Sequence, residues 1–286
     1  MRQSPYTRAV LSALALALLA AAPAPPDAAQ RSRYGWLDAK QPVRTLVDSF
    51  ATPPGFTRVN EDPKSFGAFL RTLPLLPGGA PVLAFDGSIV HPGSDPRVAA
   101  VAELDIGNRD LQQCADSIIR LNAEWHWANA KREGLSYTLT SGAPAKWDDW
   151  RKGMRPKVAG QKVTWSEVAA ADGSHASFRK YLDFVFTYAG TRSLSAYSKT
   201  VDRAALQPGD FFVLPAKELG HAVLVLDLAE DGKGHRVALV GQGFMPAQSF
   251  HVLASAPGQA WFALDGDQVA TPFWAPFPWT SLRRLP

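Results

Sequence analysis

The amino-acid sequence predicts an α+β protein: an antiparallel sheet formed by the C-terminal half packs against a helix that bears the only cysteine, Cys114. Two observations support this fold class. Apolar residues recur at nearly helical spacing around Cys114 and again from Phe178 to Tyr188. Beyond residue 210, apolar residues form short β-type runs separated by turn signals such as Asp231-Gly232, which is typical of an antiparallel meander.

The first 29 residues have the pattern of a cleavable secretory signal. Arg2 and Arg8 supply the positive charge, an apolar run extends from Ala9 to Ala22, and small residues follow it. The run is short for a membrane span, although an uncleaved membrane anchor is the alternative interpretation. We therefore expect a periplasmic or secreted protein whose mature chain has no stable membrane span.

The remaining chain divides into an N-terminal arm, residues 30–55, and a single α+β domain, residues 56–286. This length can bury a core without disulfides. The net charge of +4 is spread along the chain without a basic run, so we expect no nucleic-acid partner. No metal-ligand spacing and no phosphate-binding glycine loop occurs, and Asp227, Asp231 and His235 are interpreted as a hydrophilic hairpin. We expect neither metal nor cofactor, and the oligomeric state is left open.

The elements follow from local signals. A first helix is predicted over Val43–Phe50, a second over Ser65–Arg71, and strands over Pro81–Phe85 and Val98–Ile106. Residues 134–170 are predicted to form a long irregular segment with two short strands. The predicted strands of the meander are Phe211–Leu214, Ala222–Leu228, Val237–Val240 and Phe250–Leu253, and a Pro- and Trp-rich coil, Phe273–Trp279, covers the sheet.

Cys114 lies where a reactive thiol would lie. Asp110 is expected to cap its helix, with Gln113 completing a capping box, which places Cys114 in the first turn. The unpaired N–H groups and the macrodipole at that end favour a thiolate, so a lowered thiol pKa is expected. Cys114 also shares an apolar stripe with Ile118, and ordinary core packing is the alternative.

His221 is the predicted general base, because it opens an apolar strand and can face the start of a helix. An exposed histidine at a strand start is the alternative, and His251 is a second candidate base. Gln242 follows the next strand and could orient the imidazole, unless it is only a turn residue. Gln113 or Gln112, with the backbone N–H of Cys114, could stabilise an oxyanion.

Three short stretches resemble cell-wall amidase and peptidase domains of the CHAP and NlpC/P60 type, which are papain-like. They are the Gln113-Cys114 start of the helix, the Gln207-Pro208-Gly209-Asp210 strand entry, and Gly220-His221 with the apolar residues after it. The resemblance implies Cys114 as nucleophile and His221 as base, in the same chain order. The third catalytic residue of those domains has no evident match, and Gln242 takes its place.

Nearly the whole mature chain resembles a bacterial family described as domain of unknown function 4846. The stretches that carry this resemblance are Ser65–Arg71, Arg109–Asp116, Tyr181–Thr191 and Met245–Gln248. This resemblance implies no activity.

The sequence thus favours an exported papain-like cysteine hydrolase that cleaves an amide bond in peptidoglycan or an envelope peptide. A non-catalytic envelope protein of the same fold, which binds glycan or peptide through aromatic residues, is the alternative. A structural or partner-binding exported protein is the third hypothesis.

Overall fold

The computed structural model describes residues 34–37 and 44–286 and confirms a mixed α+β fold with antiparallel sheets. The predicted signal, most of the arm and Val43 lie outside the described residues. The described helices are α1 Leu46–Ser49, α2 Phe66–Arg71, α3 Cys114–Ala128, α4 Trp147–Arg151, α5 His175–Tyr188 and α6 Thr191–Tyr197, with 3₁₀ turns at Arg203–Ala205 and Trp279–Ser281. The strands are β1 Arg44–Thr45, β2 Thr57–Arg58, β3 Pro74–Leu75, β4 Val82–Leu83, β5 Ile89–His91, β6 Val98–Val101, β7 Ser136–Thr138, β8 Pro144–Lys146, β9 Met154–Ala159, β10 Lys162–Glu167, β11 Lys199–Thr200, β12 Phe211–Leu214, β13 His221–Glu230, β14 Arg236–Gln242, β15 His251–Leu253, β16 Trp261–Ala263, β17 Gln268–Val269, β18 Phe277–Pro278 and β19 Leu282–Arg284.

One large antiparallel sheet organises the domain. Its strands run in the order β11-β19-β12-β13-β14-β15-β6, while β16 also pairs with β14 and β2 with β13. The strands β12 to β15 form the meander predicted from the sequence. β13 is the longest strand, and its residues 221–229 are all buried, so this strand forms the centre of the protein.

Both faces of the sheet are covered by apolar side chains. Ala222, Leu224 and Leu226 of β13 pack in one cluster with α3, whereas Val223 and Val225 belong to a second cluster on the other face. Alternation along a strand causes this division. The second cluster includes Phe277 of the C-terminal segment. The prediction that this segment packs over the sheet agrees with that position, although the segment contains a short strand and a 3₁₀ turn.

Several predicted elements have different bounds in the structure. The first helix begins only at Leu46, after a strand that pairs with β3. The strand predicted to Ile106 ends at Val101. Residues 134–170 are more regular than predicted: β7 and β8 form one hairpin, β9 and β10 form another, and α4 lies between the two hairpins.

The three polar residues near the β13–β14 hairpin do not form a cation site. Asp227 is completely buried and accepts hydrogen bonds from Arg58 and Arg71, at 2.6 and 2.7 Å. Asp231 and His235 pair with each other at the hairpin tip. Across the described residues, no group of His, Cys, Asp or Glu side chains could hold a metal ion. Within the same residues, no helix has the length and apolar character needed to cross a membrane.

Candidate active site

Helix α3 begins at Cys114 because of a hydrogen bond made by its own first turn. Gln113, with φ −89° and ψ −154°, is the N-cap, and its backbone N–H donates to Asp116 Oδ2 at 3.1 Å. Asp116 therefore closes the helix start from the third helical position. The thiol is on the first helical residue, three positions nearer the helix start than a cap at Asp110 would place it.

The expectation that Asp110 caps α3 is wrong. Asp110 Oδ1 instead accepts hydrogen bonds from the backbone N–H of Ala247 at 2.7 Å and from Gln113 Nε2 at 2.9 Å. The carboxylate thus fastens the loop after β14 to the start of α3. A backbone group 137 positions away satisfies Asp110, and local sequence gives no sign of such a partner.

The thiol of Cys114 lies against the strand that carries His221. Its Sγ is 3.9 Å from the carbonyl oxygen of Gly220, and the backbone N–H of Ala222 also contacts the sulfur. These two peptide groups flank His221 on either side. The start of α3 therefore meets the backbone of β13 at the position of the predicted base, while the imidazole itself packs beside Phe277 of the second cluster.

Burial governs the acidity of this thiol. Cys114 is 3% exposed, and desolvation together with the nearby Asp116 carboxylate raises the pKa of the thiol to about 12. Backbone N–H groups of Ala222, Ala115 and Cys114 favour the thiolate, but they do not outweigh burial. The expectation of a lowered pKa is therefore wrong for this closed arrangement, in which the thiol is protonated at neutral pH.

His221 is the first residue of β13 and is completely buried. The glycine before it is required by packing: a Cβ on Gly220 would lie 2.6 Å from the carbonyl oxygen of Leu214. Burial lowers the pKa of His221 to about 4, although its bond to Gln242 acts in the opposite direction. The imidazole is therefore neutral at physiological pH, as a base must be.

The structure places Gln242 beside His221, as predicted. His221 Nε2 donates to Gln242 Oε1 at 2.7 Å, and Gln242 Nε2 donates to His251 Nε2 at 3.2 Å. His251 Nδ1 in turn donates to the carbonyl oxygen of Ser249 at 2.9 Å. His251, considered from sequence as a second base, therefore lies behind Gln242 in a continuous row of hydrogen bonds.

His221 Nδ1 has no hydrogen-bond partner among the described residues. Accordingly, the thiol and the imidazole are not hydrogen-bonded to each other in this arrangement, although the sulfur contacts the peptide groups beside His221. The imidazole ring is enclosed by Phe244 and Trp274, with ring centroids 4.8 and 4.9 Å away. The sequence gives no sign that Phe244 belongs to the site, because this residue lies in a coil segment without a recognisable motif.

The two glutamines before Cys114 differ in availability. Gln113 is partly exposed, and its Nε2 donates to Asp110. Gln112 is buried, and its Oε1 accepts a hydrogen bond from Arg120 at 3.1 Å, whereas its Nε2 has no partner among the described residues. Gln112 Nε2 therefore keeps both of its N–H groups unpaired within the described residues, whereas one of the two N–H groups of Gln113 is engaged by Asp110.

Three cavities lie elsewhere in the described part of the chain. One lies between α3 and α6 beside Tyr137, a second is lined by Trp125 and Arg284, and a third by Tyr188 and Arg192. None of these three is lined by Cys114 or His221. Cys114 and His221 are both buried, and these three cavities are separate from them.

Comparison with known proteins gives one match. The family described as "Domain of unknown function (4846)" matches residues 46–284. The chain belongs to this family. No curated protein and no solved structure matches the chain.

Two of the stretches that resemble the domain of unknown function 4846 family meet at the candidate site. Arg109–Asp116 contains Asp110 and Cys114, and Met245–Gln248 contains Ala247, whose N–H binds Asp110. Gly243, just before the second stretch, lies so close to α3 that a Cβ there would be 2.9 Å from the carbonyl oxygen of Gln113. These family-like segments therefore build the surroundings of the thiol.

Asp116 gives a prediction for the pH dependence of stability. Burial raises its pKa from 3.8 to about 8, so the folded protein holds this proton more tightly than the unfolded chain. That stabilisation is complete below pH 3.8 and is lost as the pH rises to about 8. Asp116→Asn keeps an oxygen for the Gln113 N–H and should raise the free energy of unfolding at neutral to alkaline pH by at least about 2 kcal/mol.

Urea denaturation at pH 4 and at pH 8 measures this effect. The variant and wild type should be similar in stability at the lower pH. The same change at exposed Asp202 is the surface control. An Asp116→Asn protein that is equally destabilised at both pH values would show that the carboxylate is ionised in the folded state.

Proposed function

We propose that the protein is an exported cysteine hydrolase with a papain-like arrangement, which cleaves an amide bond in peptidoglycan or an envelope peptide. Cys114 is the nucleophile, His221 the base and Gln242 the residue that orients the base. One observation carries the proposal: the thiol contacts the peptide groups on both sides of His221, whose Nε2 is bound to Gln242 and whose Nδ1 is unpartnered.

The chemistry follows from that pairing. His221 Nδ1 accepts the thiol proton, and the thiolate attacks the carbonyl carbon of the scissile amide. The protonated imidazole then gives its proton to the leaving amine as the C–N bond breaks, which leaves a thioester on Cys114. Water, deprotonated by the same nitrogen, hydrolyses the thioester and regenerates the thiol.

The tetrahedral intermediate needs hydrogen-bond donors for its oxyanion. The backbone N–H of Cys114 is at the start of α3, where helix geometry leaves N–H groups without intrahelical partners. Gln112 Nε2 is the second donor, because it is buried and unpartnered while Arg120 holds its Oε1. Gln112 is preferred to Gln113 for this role, since Asp110 already engages one of the two amide N–H groups of Gln113 and holds that side chain.

Catalysis requires the site to open. The Phe273–Trp279 segment and the loop after β14 close it, since Trp274 and Phe244 both pack on the His221 ring. Phe273 has φ 75°, a conformation that residues other than glycine rarely adopt. Backbone strain next to Trp274 supports this segment as the part that moves, because strained residues concentrate at ligand clamps and switch regions.

This closure gives a prediction that needs no substrate. Trp274→Ala should expose the neutral imidazole of His221 and raise its rate of carbethoxylation at pH 6.5 by on the order of 10-fold or more, as expected when a packed cover is removed. Peptide mapping by mass spectrometry locates the modification. A second tryptophan of the same segment provides the control: Trp279→Ala removes an indole that packs on Phe212 instead. Equal rates for the two variants would exclude Trp274 as the cover.

A non-catalytic envelope protein is the second candidate function. The observation that favours it is the burial of Cys114, which is what an inert core cysteine shows. Access to the site separates the two: a hydrolase must populate an open form in which the thiol reacts, whereas a core thiol reacts only after unfolding.

The direct test uses the mature chain from residue 30 with purified peptidoglycan fragments and envelope peptides. Mass spectrometry of released amines detects cleavage, and the Cys114→Ala protein serves as the reference. Cleavage by wild type alone supports the hydrolase. Wild-type protein that binds these ligands without cleaving them would favour the non-catalytic candidate.

A further inference from the structure

The hydrogen bonds from His221 to Ser249 allow one assignment of protons. A carbonyl oxygen only accepts, so His251 Nδ1 must carry a proton in order to bind Ser249. In a neutral ring His251 Nε2 is then an acceptor, so it must face the NH₂ group of Gln242. The other end of that amide, Oε1, consequently faces His221.

The same row fixes the tautomer of His221. Because Gln242 Oε1 only accepts, His221 Nε2 must carry the proton, and Nδ1 keeps the lone pair. An amide is nearly symmetric in shape, so packing alone would hold either orientation of the Gln242 side chain. With the amide reversed, its NH₂ group would face His221 Nε2, and the proton of His221 would move to Nδ1. A protonated Nδ1 has no lone pair with which to accept the proton of a thiol.

We infer that His251 is a positioning residue: by accepting from Gln242 Nε2 it holds the amide in the orientation that leaves His221 Nδ1 free to act as the base. This inference rests on the proposed function for its catalytic meaning. The proton assignment itself does not depend on the proposed function.

The surroundings hold His251 rigidly. It is fully buried, and it lies directly opposite Gln242 in the pairing of β14 with β15. His91 packs beside it, with ring centroids 5.9 Å apart, and His91 binds Asp95 at 3.1 Å. His91 therefore touches the His251 ring without taking part in the row, which makes it a matched control.

The test begins with ¹⁵N NMR of the histidines in the full mature protein. In wild type, the protonated nitrogen should be Nε2 in His221 and Nδ1 in His251. His251→Phe keeps an aromatic ring but removes the acceptor, so His221 should become a mixture of tautomers. His251→Gln offers an oxygen near the position of Nε2 and should restore most of the Nε2–H form, while His91→Phe should leave it unchanged.

Kinetic measurements then test the effect of His251 on catalysis. His251→Phe should lower kcat by on the order of 10-fold or more with KM little changed, since the lost tautomer acts on the chemical step. A wild-type His221 protonated on Nδ1 overturns the inference even if His251→Phe fails to fold. An unchanged tautomer in folded His251→Phe also overturns it. If no substrate is cleaved, the NMR result still stands, so failure of the proposed function is distinguished from failure of this assignment.

Discussion

Cys114→Ala should abolish amide hydrolysis, with kcat/KM at least about 1,000-fold below wild type, because no other described residue offers a thiol to the substrate. His221→Ala should have an effect of similar size, since the thiol then has no base and the leaving amine no proton donor. The two residues act as one unit, so the double variant should be no less active than either single variant. Released amine, followed by mass spectrometry, is the measurement.

Folding controls accompany these variants. His235→Ala removes a histidine from the exposed hairpin tip and should retain full activity. Gln242→Ala should lose less activity than His221→Ala, because an orienting group is partly replaceable. If folded Cys114→Ala cleaves as fast as wild type, the thiol has no part in the reaction and the proposal is wrong.

Glu124→Ala should lower the free energy of unfolding by about 3–5 kcal/mol, which is the usual consequence of removing one partner of a buried ion pair. Glu124 and Arg120 are both fully buried and are joined at 2.8 Å, and His175 binds Glu124 at 2.9 Å. Without Glu124, Asp105 is the one anionic partner left to the guanidinium within residues 34–37 and 44–286, and the Asp105 side chain is 51% exposed. Urea denaturation measures the loss.

The matched control is an exposed pair. Arg151 binds Asp148 at 2.7 Å, with side chains 42% and 23% exposed, and Arg151→Ala should cost less than about 1 kcal/mol, since it leaves the bond from the Gly134 N–H to Asp148 in place. The buried pair also has a role at the site, because Arg120 holds Gln112 Oε1. If Glu124→Ala destabilises the protein no more than Arg151→Ala does, the role assigned to the buried pair is wrong.

The sequence predicts those parts of the fold that depend on local pattern. The short helix capped by Ser65, the helix ending at Tyr188 and the meander of β12 to β15 follow from periodicity and turn residues. Only two short strands are predicted between 134 and 170, because β7 and β8 have three residues each and β9 shows no clear alternation of polar and apolar residues. The sequence of β10 does alternate, but it has no apolar neighbour strand in the sequence pattern with which to pair.

The site shows a similar division. The pairing of His221 with Gln242 was predictable, because consecutive strands of a meander are neighbours. The start of α3 was not, because two acidic residues, Asp110 and Asp116, each fit a capping pattern with Gln113. Tertiary contacts decide between them, since Asp110 is taken by Ala247. The raised thiol pKa likewise arises from burial, which local sequence does not encode.

The last strand of the chain, β19, lies inside the sheet between β11 and β12 and does not form its edge. Leu282 is buried there, and Arg284 binds the buried carboxylate of Asp210 at 2.6 Å. Removal of Leu282–Arg284 would leave β11 without the strand it pairs with and the buried Asp210 carboxylate without its cation, so these three residues hold together parts of the chain that lie about 75 to 85 positions earlier.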